Sequence, residues 1–181
     1  NTNWKFLIEN FIEPYHVQFV HKTTTNQPLR DHYTFVDGKC YGSGVDVQQE
    51  DEKNSSALSV TSRYLSLFPN FIMGTYFPNQ VGVYLNIPIS PGITSQKRII
   101  YTIDNKMMTK KEIQTTKDIW WSVHKEDHEM CERLQEGRSS PASNNGGLLS
   151  PVWEKGVQAF QKLIINSIKR SFKITRRVKN V

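Results

Sequence analysis

The sequence predicts an α+β fold: a curved antiparallel sheet wrapped around a long C-terminal helix, in the manner of a helix-grip. Three observations carry that reading. Apolar residues recur at helical spacing in the first and last thirds of the 181-residue chain. Between about Asp31 and Asp104 the period falls to two, and Gly and Pro punctuate short β-rich runs. Connections that short join antiparallel neighbours, because a parallel crossover needs about a dozen residues or more. A sheet with one buried face needs an apolar cover, and the last helix offers a stripe for it. The length suits one domain with a sizeable core, so residues 1–181 read as a single unit.

The elements follow in order. WKFLIENFIE places Trp4, Leu7, Ile8 and Phe11 on one helical face. Pro14 interrupts that helix and, being suited to a first turn, opens a short second one within EPYHVQFVH, Glu13 to His21. The second helix is expected to run out near Thr23-Thr24-Thr25. Strands are expected around His32 to Val36, Lys39 to Val47, Ala57 to Leu67, Asn70 to Phe77, Gln80 to Ile89 and Gln96 to Ile103. Asp37-Gly38 marks a tight hairpin, and Pro69-Asn70, Pro78-Asn79 and Pro91-Gly92 mark further turns. A helix from Lys110 to Glu136, the loop SSPASNNGGLLSP and a final helix from Val152 to Phe172 complete the chain. Trp153, Val157, Phe160, Ile164, Ile168 and Phe172 form the apolar stripe of that last helix. No internal repeat is present.

Composition excludes several classes. No apolar run reaches the roughly 20 residues of a membrane helix, and NTNWKFLIEN lacks a signal-peptide pattern, so a soluble cytoplasmic protein is expected. The absence of an initial Met suggests a fragment of a longer chain or a processed product. Cys40 and Cys131 are too few for a disulfide framework and read as reduced thiols. Asn54-Ser55-Ser56 is a chance match to a glycosylation acceptor. The net charge of +6 does not indicate nucleic acid: Lys169, Arg170, Lys173, Arg176, Arg177 and Lys179 carry it, leaving 17 basic residues against 17 acidic ones. That run reads as a solvated helix end, with docking of an acidic protein partner as the next reading.

Chemistry enters with Asp127. On the Lys110 to Glu136 helix the stripe Trp120, Val123, Met130, Cys131 and Leu134 has Asp127 at its centre. A carboxylate on a buried face is costly unless it is hydrogen-bonded, paired or bound to a metal. A buried salt bridge, a water network and a metal all meet that need. His16 and His21 offer partners, but five residues apart they diverge by roughly 140° on a regular helix. Two ligands at that spacing require His21 at a helix end or distortion, and alone the pair is a weak signal. His124, His128 and Cys131 form a rival zinc constellation at spacings of four and three. Lys125, Glu126 and Glu129 mark that stretch as largely solvent-facing, and a fourth ligand is not evident.

NWKFLIENFIEPYHVQFVH resembles the signature that opens the catalytic domain of Rieske-type non-haem iron oxygenase α subunits, with Trp-Lys, Glu-Asn-Phe/Tyr and Glu/Asp-x-Tyr-His-x-x-x-x-His in order. EDHEMCERLQEGRSS is similar to the family's segment that supplies a carboxylate ligand, and YLSLFPNFI resembles its Phe-Pro-Asn strand entry. The resemblance spans most of the chain. It implies a START/Bet v1-like helix-grip, with His16, His21 and Asp127 as the facial triad of Fe(II). Glu13 then matches the carboxylate that bridges a metal-binding histidine to the Rieske histidine of a neighbouring subunit. The implied reaction hydroxylates a small organic substrate with O2, using electrons from NAD(P)H passed through a reductase or ferredoxin and a Rieske [2Fe–2S] cluster. The family also implies a homotrimer.

Two departures matter. Ring-hydroxylating dioxygenases generally carry Asp where Glu13 stands; Glu looks more like the branch acting on choline, betaine and carnitine. The CxH and CxxH pairs of a Rieske cluster do not occur in these residues, so that cluster is expected in an N-terminal domain outside them. Tyr64, Phe68, Phe71, Tyr76 and Tyr84 are the aromatic residues available for a quaternary ammonium cage. A metal-free helix-grip module holding a small apolar ligand is the competing expectation, and it has no use for Asp127 in an apolar stripe.

Overall fold

The computed structural model describes residues 1–25, 27–47, 61–103 and 107–178, with side chains to residue 172. Its elements in chain order are α1 (Trp4–Ile12), α2 (Val17–Val20), β1 (His32–Asp37), β2 (Cys40–Val45), β3 (Ser62–Leu67), β4 (Phe71–Tyr76), β5 (Gln80–Ser90), β6 (Ile93–Thr102), α3 (Lys110–Ser139) and α4 (Lys155–Val178). The expected start of β3 at Ala57, the Asn54 acceptor, and the side chains of Lys173, Arg176, Arg177 and Lys179 lie outside the described residues.

The six strands form one antiparallel meander in the order β1-β2-β3-β4-β5-β6, each paired with the strand before it. The β1–β2 hairpin turns at Gly38, whose φ of 58° is open to glycine and strained for most other residues. Along β4 and β5, Gly74 and Gly82 are cross-strand partners. A Cβ on either would collide with the ring of Tyr76 or Tyr84 two residues on. The two glycines therefore let both tyrosines lie flat on the inner face.

That face carries the core. Tyr41, Ile72 and Tyr84 from the sheet pack against Ile8 and Ile12 of α1 and Val157 and Phe160 of α4. A second cluster joins Tyr76 to Trp120 and Val123 of α3. The sheet thus holds α1 and α3 as well as α4. The α4 stripe is buried only in its first half: Val157 and Phe160 are enclosed, whereas Ile168 is 51% and Phe172 68% exposed. The reason is reach, because α4 packs on β1, β2 and α1, which cover its N-terminal turns.

The helix ends are well specified. Asn3 caps α1, and Thr109 with Glu112 forms a reciprocal capping box on α3. Thr2 Oγ1 donates to Cys131 O at 3.0 Å and Asn3 N to Gln135 Oε1 at 2.9 Å, tying α1 to α3. This docking brings the first and last thirds of the chain together beside the sheet. No helix among the described residues is long and apolar enough to cross a membrane.

Candidate metal centre

Pro14 prevents α1 from running straight into α2, and the break sets the histidine geometry. Helix α2 is four residues long, with His16 as the residue before it and His21 as the residue after it. His21 leaves the helix with φ −92° and ψ 36°. Neither imidazole sits inside a regular helix, so the divergence of a five-residue spacing does not apply. Their ring centroids are 5.2 Å apart.

Each imidazole is oriented by a carboxylate. His16 Nδ1 donates to Glu13 Oε1 at 2.6 Å, and His21 Nδ1 donates to Glu126 Oε2 at 2.7 Å. An ionised carboxylate only accepts, so both Nδ1 atoms carry a proton and each Nε2 is left to face inward. The two Nε2 atoms converge on Asp127 Oδ1, at 3.7 Å from His16 and 3.1 Å from His21. Asn10 Nδ2 donates to the same oxygen at 2.9 Å. Among the described residues, His16, His21 and Asp127 form a group of metal-ligand type, with one ligand atom of each lying within 4.8 Å of the others.

The donor set fits a divalent ion. Three ligands on one face of an ion, each about 2.1 Å from it, lie about 3 Å from one another. Two neutral imidazoles and a carboxylate are the donors expected of non-haem Fe(II). With Nδ1 protonated, the inward lone pairs of Nε2 face a carboxylate oxygen, an arrangement that calls for a proton or a cation between them.

The electrostatics agree. Burial opposes the charged form of His21, but Asp127 and then Glu126 outweigh it and raise the imidazole above its ordinary value. Burial likewise opposes the charge on Asp127, yet the His21 hydrogen bond and the nearby imidazoles hold it below the usual carboxylate range.

The triad opens on a cleft beneath the sheet's inner face. Phe11, Tyr64, Tyr76, Tyr84 and Trp120 supply its aromatic walls. The Tyr76 and Trp120 rings lie 4.3 Å apart, and Trp120 Nε1 donates to Gln80 at 2.9 Å. Burial raises the phenols of Tyr64, to about 12, and of Tyr76 and Tyr84, so all three stay neutral. Of the five aromatic residues considered for a cage, Tyr64, Tyr76 and Tyr84 line this cleft. Phe68 packs instead against Phe160, and Phe71 is not among the lining residues.

The rival zinc constellation is not assembled. His128 is 65% exposed and pairs with Glu132 at 3.2 Å, while burial pushes the Cys131 thiol up to about 12. His124 lines the cleft, stacked on Trp120. Cys40 and Cys131 are free thiols.

Sequence reasoning missed Glu126, which it placed in solvent, together with Asn10 and Thr24. Thr24 Oγ1 donates to Glu126 Oε2 at 2.8 Å. The signal available was the Glu126-Asp127 pair, two adjacent acids on one helix edge.

The family profile described as "Ring hydroxylating alpha subunit (catalytic domain)" matches residues 1–169. The chain belongs to this family. The chloroplastic choline monooxygenase of Amaranthus tricolor is 29% identical over 163 residues, covering 88% of this chain and 36% of that protein. Its Spinacia oleracea counterpart is 26% identical over 172 residues, covering 93% and 38%. The chain thus spans little more than a third of these relatives. The quaternary ammonium Rieske monooxygenase CntA in complex with L-carnitine superposes with a TM-score of 0.69 at 19% identity, covering 90% of this chain and 44% of that one. A further quaternary ammonium Rieske monooxygenase structure, reported with inter-subunit electron transfer, gives 0.70 at 19%, covering 90% and 46%. At these identities the likeness shows the fold, a Rieske oxygenase catalytic domain of helix-grip type.

Proposed function

We propose that residues 1–181 are one catalytic domain of a mononuclear Fe(II)-dependent oxygenase that hydroxylates a small quaternary amine with O2. The observation that carries this reading is the convergence of His16 Nε2, His21 Nε2 and Asp127 Oδ1, with both histidine tautomers set by carboxylates. The competing metal-free module gives Asp127 no task, whereas the carboxylate lies 3.1 and 3.7 Å from the two imidazoles, which favours the oxygenase reading. The choline monooxygenase relatives and the Glu at position 13 favour an amine over an aromatic ring.

In this reading His16, His21 and Asp127 hold Fe(II), and when bound it supplies O2 activation and oxygen transfer to a substrate C–H bond. The chain's own residues do the rest. Glu13 and Glu126 keep Nδ1 protonated and turn Nε2 inward, which raises the basicity of each imidazole as a ligand. Asn10 fixes the rotation of the Asp127 carboxylate. Phe11, Tyr64, Tyr76 and Trp120 present neutral ring faces to an alkylammonium head and exclude water from it. Hydroxylation of a carbon next to the nitrogen leads to demethylation or C–N cleavage.

Electrons come from NAD(P)H through a reductase or ferredoxin and a Rieske [2Fe–2S] cluster. The cluster's Cys-His pairs are absent from these residues, so it is carried outside them. Glu13 is where that path enters this domain: its side chain is 13% exposed and bonded to His16. A homotrimer places a neighbour's cluster against it, in line with the inter-subunit electron transfer described for the similar amine monooxygenase.

Metal analysis tests the proposal. Chain reconstituted anaerobically with Fe(II) is expected to retain about one iron per chain, and His16→Ala to lose it; unchanged iron in His16→Ala overturns the ligand assignment.

A further inference from the structure

Strand β6 sets Gln96, Arg98 and Ile100 on the half-buried inner side of the sheet, with Lys97, Ile99 and Tyr101 outside. An arginine on an inner face is costly unless its charge is met. Arg98 lines the cleft, and its guanidinium lies over the ring of its cross-strand partner Tyr84, 5.2 Å from the centroid. Its Nε donates to Gln96 Oε1 in a short contact. Its terminal nitrogens have no protein partner, and it joins no ion pair, among the described residues. Asp127 acts on it through space, but that carboxylate is committed to His21, His16 and Asn10.

A second nitrogen-bearing side chain also lies against Tyr84. His124 meets that ring edge-on at 5.9 Å and lines the same cleft, and its buried Nδ1 has no hydrogen-bond partner among the described residues. The lining around Tyr84 therefore carries a guanidinium fork and a spare imidazole nitrogen. Phe11, Tyr64, Tyr76 and Trp120 add neutral aromatic faces to the same lining. A guanidinium fork matches the two oxygens of a carboxylate.

We propose that the substrate is a zwitterion, an alkylammonium that also bears a carboxylate, with Arg98 binding the carboxylate and His124 assisting it. This separates the chain from its choline monooxygenase relatives, whose named substrate has no carboxylate. Arg98 is then the specificity residue of the cleft, and the aromatic wall recognises the feature common to all such amines. Burial pulls the Arg98 guanidinium below its ordinary value, which is the cost a bound carboxylate offsets. The inference rests on the cleft being the oxygenase's substrate site.

The test is calorimetric titration of the iron-loaded and metal-free chain with L-carnitine and γ-butyrobetaine, which carry a carboxylate, and with choline, which does not. The two carboxylates are expected to bind about tenfold or more tightly than choline, the loss typical of a charge-assisted hydrogen bond. Arg98→Met should abolish that preference by weakening the two carboxylate ligands far more than choline. Arg98→Lys, which keeps the charge without the fork, should retain part of it and serves if the Met variant does not fold. Equal or tighter binding of choline, no binding of any of the three, or an unchanged preference in Arg98→Met overturns the inference. Iron content reads the metal centre separately: a carboxylate preference in a chain that holds no iron removes the oxygenase reading and leaves Arg98 as an anion site, whereas iron without preference does the reverse.

Discussion

His16 is held from within its own turn, whereas His21 is held from across the molecule. Glu13 stands three residues before His16, and its second oxygen accepts the backbone N–H groups of Tyr15 and His16. Glu13 thus shapes the turn and orients the ring as one local device. Glu126 lies 105 residues from His21 and reaches it from α3, with Thr24 as a second donor. A local hold survives movements of the domain that a distant one does not. The His21 side of the centre should therefore report on the packing of α2 against α3, and the His16 side on the Glu13 turn alone.

Glu126→Ala breaks this contrast most sharply. It leaves the buried His21 Nδ1 without an acceptor and unties α2 from α3, so a loss of roughly 2–3 kcal/mol in stability is expected. Iron affinity should drop by about 10- to 100-fold, as for other groups that orient a metal ligand. Glu13→Ala should cost similar affinity but a smaller loss of roughly 1–2 kcal/mol, because it strands His16 Nδ1 and uncaps a turn without untying two elements. Equal stability losses in urea unfolding would erase the distinction.

The pH dependence of the metal-free protein sharpens it. His21 is raised, so its contribution to stability is full below pH 6.5 and lost as pH rises through its folded value. Asp127 is depressed, so its contribution is full above pH 3.8 and lost as pH falls through its folded value. A third imidazole adds to the acid side. His32 is buried with neither ring nitrogen bonded among the described residues, and burial, then the His16 charge, pull it down to about 4. The fold resists its proton between 6.5 and about 4. Melting temperature should peak near pH 6.5, with His21→Asn flattening the alkaline limb and His32→Leu the acid limb. A melting temperature that climbs steadily above pH 6.5 refutes the assignment.

Thr24→Val is the mildest change. It removes one of the donors to Glu126 and keeps the His21 bond, so about 1 kcal/mol and less than tenfold in iron affinity are expected from unfolding and iron titration.

The strands were readable because turn chemistry is local: Asp37-Gly38 and the Pro-Asn pairs fall where the chain reverses, and five of six strand starts lie within three residues of expectation. Asp127 was readable because an acid inside an apolar stripe is an anomaly on one helix. Glu126 was not, because only the docking of α2 on α3 turns it away from solvent. Arg98 was hidden for another reason: β6 carries apolar side chains on both faces, Ile100 inward and Ile99 and Tyr101 outward, so alternation alone does not say which face is inner. Ile168 and Phe172 continue a helical stripe perfectly well on paper, but the sheet ends before they reach it.

The docking of α1 and α2 on α3 also bears on how the chain becomes topologically closed. The sheet pairs each strand with its predecessor and needs only short loops, while His16 and His21 must find Asp127 across the whole meander. An ion held by all three fastens a loop of about 100 residues, a constraint on the unfolded chain comparable with a long-range disulfide and worth about 4–5 kcal/mol in the chain-entropy picture. Loading with iron would then do for this domain what a covalent staple does in a secreted protein.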